Sequence, residues 1–573
     1  MSSLYIKEAT GVDELTTAGS QDHPFKTPAY ALFASQQKSD ATEPKLFVFK
    51  TEDNEYQEIS ASALKKARKG CDGLKKKAVK QKEQELKKQQ KEAENAAKQL
   101  SALNITIKED ESLPAAIKTR IYDSYSKVGQ RVKVSGWIHR LRSNKKVIFV
   151  VLRDGSGFIQ CVLSGDLALA QQTLDLTLES TVTLYGTIVK LPEGKTAPGG
   201  VELNVDYYEV VGLAPGGEDS FTNKIAEGSD PSLLLDQRHL ALRDALSAVM
   251  KVRAALLKSV RRVYDEEHLT EVTPPCMVQT QVEGGSTLFK MNYYGEEAYL
   301  TQSSQLYLET CLASLGDVYT IQESFRAEKS HTRRHLSEYT HIEAELAFLT
   351  FDDLLQHIET LIVKSVQYVL EDPIAGPLVK QLNPNFKAPK APFMRLQYKD
   401  AITWLNEHDI KNEEGEDFKF GDDIAEAAER KMTDTIGVPI FLTRFPVEIK
   451  SFYMKRCSDD PRVTESVDVL MPNVGEITGG SMRIDDMDEL MAGFKREGID
   501  TDAYYWFIDQ RKYGTCPHGG YGIGTERILA WLCDRFTVRD CSLYPRFSGR
   551  CKPWSLVTEE YVSAHIYTNI YTD

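Results

Sequence analysis

No CxxC pair occurs among the nine cysteines of this 573-residue chain. The scattered thiols therefore spell neither a disulfide frame nor a sulfur-ligated zinc site, and they suit a reducing compartment. No apolar run is long enough to span a bilayer. The N-terminus, MSSLYIKEATGVDELTTAG, lacks the basic-then-apolar order of a secretory signal, and Glu8, Asp13 and Glu14 argue against a transit peptide. No internal repeat is visible, and residues 62–103 hold no proline. What remains is a soluble globular composition, 41% hydrophobic and 27% charged, in a chain long enough for several domains.

Charge is unevenly spread. The net charge is −14, yet Leu64 to Leu100 holds 13 Lys/Arg against 5 Asp/Glu. A basic segment on an acidic body points to a polyanionic partner met by the appendage. Residues 1–60 read as a small α/β unit with a strand in KLFVFKT, and 61–110 as a lysine-rich, solvated helical arm with little to pack. That arm is either an electrostatic contact for nucleic acid or a charged linker helix.

Residues 120–213 change character. RVKVSGWIHRLR, KVIFVVLRDGSGFIQCVL, TVTLYGTIVKL and VELNVDYYEVVG are strand-like runs broken by turns, which fits a small β-barrel of OB type. Its surface offers Arg140, Arg142, Lys145, Lys146, Phe149, Phe158 and Gln160, aromatics beside basic groups that suit stacked single-stranded bases. A core role for Phe149 is the alternative. Residues 214–240 form a Gly/Pro/Ser-rich linker. From 241 to 573 runs one large region with a long amphipathic helix, strands at LTEVTPP, VPIFLTRF, SFYMKR, SVDVLMP and GEITGGSMRI, and an insertion at about 372–425. Strands without regular βα alternation predict an α+β fold built on an antiparallel sheet with flanking helices.

The stretch ESFRAEKSHTRRHLSEYTHIEAEL gathers Arg326, His331, Arg333, Arg334 and His335 between two acidic strands. Period-2 alternation puts His341, Glu343 and Glu345 on one face and Ile342, Ala344, Leu346 and Phe348 on the other. Such a hairpin can grip a triphosphate through arginine forks, with Tyr339 as a ring face for a purine. A surface salt-bridge ladder is the alternative. Near the C-terminus, CPHGGYGIGTERILAWLCDRF sets glycines 519, 520, 522 and 524 before a helix whose first turn carries Arg527. Without a parallel βαβ context this is no dinucleotide fold.

These residues carry a resemblance. FRAE at 325–328, with His335, Tyr339 and Glu343 beyond it, resembles motif 2 of the class II aminoacyl-tRNA synthetases; GIGTER resembles motif 3; LTEVTPP resembles motif 1, the dimer-forming element. The OB-type barrel ahead of such a core is the arrangement of the aspartate, asparagine and lysine subgroup. VEGGSTLF, SSQLYLET and GEITGGSMRI are most similar to its asparagine branch.

The resemblance implies ligation of asparagine to tRNA(Asn) through an adenylate made from ATP, by a cytoplasmic homodimer with no membrane segment and with Pro274 at the dimer contact. It implies that Arg326 binds the α-phosphate, Glu328 reads the adenine amino group, and Tyr339 and Arg527 bracket the ring beside Gly524. Arg334 and His335 would hold the pyrophosphate, and Glu476 the Mg²⁺. Glu283, Gln305, Glu309, Gly479 and Arg483 would hold the amino acid. Arg140, Phe149 and Gln160 would meet the anticodon. Aspartyl enzymes carry lysine where this chain has Leu308, so Glu309 is expected to accept from the asparagine amide and repel aspartate. The rival readings are an aspartyl enzyme, an asparagine synthetase on the same core, which would lack the barrel, and a non-catalytic RNA-binding or signalling protein on the same fold.

Overall fold

The computed structural model describes residues 3–37, 43–80, 105–144, 147–226, 228–283, 288–329 and 332–551. His331, Lys145, Lys146 and residues 81–104 of the lysine-rich arm lie outside the described residues. The chain divides into two compact units, Met1–Asn223 and Lys224–Asp573.

The first unit opens with a three-stranded sheet of β1 (Ser3–Ile6), β2 (Lys45–Lys50) and β3 (Glu55–Glu58), β1 parallel and β3 antiparallel to β2. KLFVFKT is therefore a strand, as expected. Helix 61–80 departs from the expected solvated arm. Ala67 and Cys71 are buried with Ile6, Phe25, Leu32 and Leu46 in one core, so the start of the basic helix belongs to the N-terminal fold and only one of its faces carries the lysines.

The barrel follows. It uses β4 (Ile117–Lys118), β5 (Arg131–Asn144), β6 (Val147–Arg153), β7 (Phe158–Ser164), β8 (Thr181–Lys190) and β9 (Val201–Gly212) in the order β4-β5-β6-β7-β9-β8. β5 also pairs with β8 and closes it. Strict alternation along β6 and β7 sends Ile148, Val150, Leu152, Ile159 and Cys161 inward.

The second unit is organised by an eight-stranded sheet. Ahead of it stands a small sheet of β11 (Met277–Val278), β12 (Lys290–Tyr293) and β13 (Glu296–Leu300). The large sheet has the order β10 (Thr270–Glu271), β14 (Val318–Phe325), β15 (Glu338–Ala347), β20 (His518–Gly524), β19 (Gly475–Met482), β18 (Ser466–Met471), β17 (Ile440–Thr443) and β16 (Met394–Gln397). Its six inner strands are antiparallel, and only the edge strands β10 and β16 pair in parallel. One face carries Ile342, Ala344, Val469, Ile477, Tyr521 and Ile523 into a core with the helices Ala245–Glu266 and Phe351–Glu371. The second of these helices starts at a capping box of Thr350 and Asp353. The opposite face is left polar.

Several boundaries differ from the sequence expectation. SFYMKR is no strand: Phe452 and Tyr453 instead bury their rings with Ile484, Leu490 and Phe494. LTEVTPP contributes only a two-residue edge strand. Phe348 leaves the apolar row, because β15 ends at Ala347 and the Phe348 backbone turns to φ 57°, leaving the residue 83% exposed. Residues of the expected insertion at 372–425 pack into the second unit. Ala375 and Val379 join the main core, and β16 extends the sheet beside β17. Its prolines break elements without separating a domain. The end of the expected linker also belongs to the second unit: Arg238 is buried and donates to the Arg539 and Leu543 carbonyls.

Candidate active site

The polar face of the sheet opens into a cavity of about 200 Å³. Its lining includes twelve expected residues: Glu283, Gln305, Arg326, Glu328, Arg334, His335, Tyr339, Glu476, Gly479 and Arg483, and Gly524 and Arg527 from the motif 3 stretch. Residues more than 200 positions apart meet there because β15, β20, β19 and β18 are neighbours in space.

One end is dominated by cations. Arg326 and Glu328 follow β14, Tyr339 stands on β15, and Arg527 sits on the first turn of the helix Thr525–Cys533. The Arg326 guanidinium lies 5.6 Å from the Tyr339 ring centroid. Arg527 donates to Glu476 Oε2 at 3.0 Å, and Arg334 donates to the Glu476 carbonyl at 2.9 Å. His335 Nε2 lies 3.6 Å from Glu328 Oε2. Among the described residues, Arg326 Nε and Arg334 Nε are buried with no hydrogen-bond partner in the protein. Buried donors of this kind in a cavity wall suit a polyanion.

Carboxylates crowd the middle. Burial opposes ionisation of Glu476, but Arg527, Arg334 and Lys450 outweigh it and hold the carboxyl at about 2. Burial and the Glu476 charge push Glu429 up to about 7 against the pull of Arg334. Burial raises Asp468 to about 6, with Lys450 opposing and Glu476 adding to the rise. Lys450 donates to Asp468 at 2.9 Å. A Cβ on Gly479 would lie 3.6 Å from both Asp468 Oδ1 and Glu476 Oε1, so the two carboxylates flank one point.

The other end is a buried ion pair. Arg483 donates to Glu345 Oε1 through Nη2 at 2.5 Å and Nε at 3.1 Å, and to Ser481 Oγ through Nη1 at 2.6 Å. Glu283 accepts from Tyr453 Oη at 3.2 Å and Ser451 Oγ at 3.4 Å. Glu343 accepts from the Ser303 hydroxyl and, at 2.9 Å, from the Ser304 amide.

The glycines of β20 serve these side chains. Glu345 pairs with Gly520 across the sheet, and a Cβ on Gly520 would stand 2.2 Å from Glu345 Oε1. A Cβ on Gly522 would stand 2.2 Å from His341 Nε2. The glycine run therefore makes room for charged side chains of β15, beyond letting a ligand near the backbone.

Two expectations need correction. Glu309 does not line the cavity. Its side chain is wholly buried behind the wall, accepting from Arg511 Nη2 at 2.7 Å, His518 Nε2 at 2.9 Å and Gln305 Nε2 at 3.1 Å. Both of its oxygens are engaged by these three protein donors. Leu308 points into an apolar cluster with Leu312 and Val318. Both face away from the cavity because they lie on the inner side of the helix Gln305–Leu315. Sequence reasoning also missed Lys450, Tyr453 and Asp468 as lining residues. Alternation in SVDVLMP was the one signal for Asp468; nothing local marks the other two.

On the barrel, Arg140 pairs with Val151 and Val151 with Gln160, and Phe149 lies two residues from Val151 on the same outward row. Phe149 alternates with buried Ile148 and Val150, which excludes its core role. Gln160 Nε2 donates to Glu202 at 3.1 Å. Pro274 lies just beyond edge strand β10, half-buried.

An antiparallel sheet carrying these three motifs around a polar cavity, with an OB barrel ahead of it in the chain, defines a class II aminoacyl-tRNA synthetase. The comparisons agree. Residues 230–548 match the family model "tRNA synthetases class II (D, K and N)", residues 20–114 "Asparaginal-tRNA synthetase, N-terminal domain", and residues 132–211 "OB-fold nucleic acid binding domain". The cytoplasmic asparagine–tRNA ligase of Debaryomyces hansenii is 69% identical over 96% of this chain and 100% of its own length; that of Homo sapiens is 51% identical over 96% and 100%. A solved Entamoeba histolytica asparaginyl-tRNA synthetase in complex with asparaginyl-adenylate is 42% identical, with a TM-score of 0.73 over 77% of this chain and 100% of that one. The chain belongs to the class II synthetases of the D, K and N group, and within it to the asparagine–tRNA ligases.

Proposed function

We infer that this protein ligates asparagine to tRNA(Asn) in the cytoplasm, in two steps at the cavity on the sheet. The observation that carries the reading is the cavity's division into a cationic end and a buried Glu345–Arg483 end, joined by carboxylates. In the first step the asparagine α-carboxylate attacks the α-phosphorus of ATP, giving asparaginyl-adenylate and pyrophosphate. Arg326 holds the α-phosphate and offsets charge developing at phosphorus. Arg334 and His335 take the pyrophosphate oxygens. Tyr339 and Arg527 sandwich the adenine, and Glu328 accepts from its amino group. No protein base is needed, since the carboxylate is already a nucleophile and alignment supplies most of the rate. In the second step the terminal ribose 3′-hydroxyl of the tRNA attacks the acyl carbonyl and AMP leaves.

Glu283 accepts from the α-ammonium. At the side-chain end, Arg483 donates to the amide oxygen and Glu345 accepts from the amide nitrogen. An aspartate side chain would meet the Glu345 carboxylate. Glu345 thus takes the role expected of Glu309.

The donor set fits Mg²⁺. Glu476 and Asp468 flank one point and would hold the ion through their oxygens, and a carboxyl group raised chiefly by burial, as Asp468 is, is one that a divalent cation readily deprotonates. When bound there, Mg²⁺ would supply charge neutralisation at the phosphate oxygens. The homodimer through the segment around Pro274 and the anticodon contacts of Arg140, Phe149 and Gln160 belong to the same reading. Exchange of pyrophosphate into ATP in the presence of asparagine tests the first step; a folded protein without that exchange would refute it.

A further inference from the structure

Glu309, displaced from the cavity wall, lies in a cluster whose geometry carries its own consequence. Its side chain and that of Arg511 are both fully buried. A carboxylate offers only acceptors, and here both oxygens are engaged: Oε2 by Arg511 and His518, Oε1 by Gln305 Nε2. Gln305 itself lines the cavity. An amide has one donating end and one accepting end. With the donating end held by Glu309, the carbonyl oxygen is the end that remains for the cavity.

We propose that Glu309 is a positioning residue that locks the Gln305 side-chain amide, so that its oxygen faces the cavity and accepts from the substrate α-ammonium beside Glu283. The neighbourhood supports the pairing with Glu283. Gln302 Oε1 accepts from the backbone amides of Val282 and Glu283 at 3.1 and 3.3 Å, tying that segment to the start of the helix that carries Gln305. The Arg483–Glu345 pair already supplies a donor and an acceptor for the side-chain amide, which leaves the ammonium as the substrate group in need of acceptors. If Gln305 flipped, its NH₂ would face that cation, and a favourable contact would become a clash of donors. Arg511 and His518 hold Glu309 in place, so the lock rests on residues that never touch substrate.

This rests on the amino-acid-binding reading of the cavity, and the test separates the two. If that reading fails, the native enzyme shows no asparagine-dependent pyrophosphate exchange. If only the lock fails, native exchange is intact and the variants behave independently. The experiment is a double-mutant cycle of Glu309→Gln and Gln305→Met on the KM for asparagine and for ATP. Glu309→Gln permits both amide orientations and should raise the asparagine KM about tenfold, with the ATP KM unchanged. In the Gln305→Met background the same substitution should have no further effect, because it acts through Gln305. Additive effects would overturn the lock. Should Glu309→Gln fail to fold, succinamate, which is asparagine without its α-amino group, supplies the second measurement. Gln305→Met should weaken asparagine binding about tenfold yet leave inhibition by succinamate unchanged. Equal loss for both would overturn the assignment to the ammonium.

Discussion

Glu345→Gln is the perturbation that bears hardest on substrate choice. Glu345 and Arg483 are almost fully buried, with side-chain exposures of 1% and 4%. In the native site an aspartate carboxylate placed where the asparagine amide sits would face the Glu345 carboxylate. Burial raises the Glu345 carboxyl to about 7 against the pull of Arg483, so the repulsion is fully developed above that pH; at a separation of about 5 Å and an effective dielectric of about 20 it is about 3 kcal/mol, or about two orders of magnitude in relative affinity. Glutamine keeps the shape and removes the charge. The variant should therefore lose about a hundredfold of its discrimination against aspartate, while asparagine loses only the charge-assisted part of its amide contact. Breaking a buried ion pair also costs stability, about 3–5 kcal/mol when nothing replaces it and less here, because glutamine still accepts from Arg483. The assay is amino-acid-dependent ATP–pyrophosphate exchange with each substrate, on protein shown by circular dichroism to be folded. A folded variant with an unchanged asparagine-to-aspartate ratio would refute the assignment of Glu345.

The other expectations address separate parts of the account. Arg326→Ala should abolish adenylate formation, and normal exchange in that variant would remove Arg326 from the phosphate grip. Arg253 donates to Thr340 Oγ1 at 2.5 Å and Glu526 Oε1 at 3.0 Å, next to Tyr339 and Arg527; Arg253→Ala should raise the ATP KM about tenfold and leave that for asparagine alone, as steady-state kinetics would show. Gly520→Ala would put a Cβ 2.2 Å from Glu345 Oε1 and should abolish asparagine-dependent exchange more completely than Glu345→Gln does. Deleting residues 1–110 should weaken tRNA binding mainly at low salt and spare adenylate formation, which titrations at two salt concentrations would check.

Alternation made the hairpin legible. Ile342, Ala344 and Leu346 had to face a core, so His341, Glu343 and Glu345 had to face something else, and the resemblance to the synthetase motifs named Arg326, Tyr339, Glu476 and Arg527. Glu309 was misread because sequence spacing does not say which side of a helix faces the cavity; only the positions of Arg511 and His518, some two hundred residues on, show that it is engaged elsewhere. The need for the β20 glycines was not legible, because the side chains they make room for, His341 and Glu345, come from a strand nearly two hundred residues earlier. Segment 372–425 read as an insertion because its prolines are local signals, whereas the pairing of β16 with β17 is not. Likewise, basic composition hid the buried face of Ala67 and Cys71 in helix 61–80.

The most direct test is ATP–pyrophosphate exchange without tRNA, with asparagine and aspartate run in parallel on the native protein. The account predicts exchange with asparagine and little with aspartate. Comparable exchange with aspartate would contradict the Glu345–Arg483 reading of the amide, and exchange with neither, in folded protein, would contradict the enzyme itself.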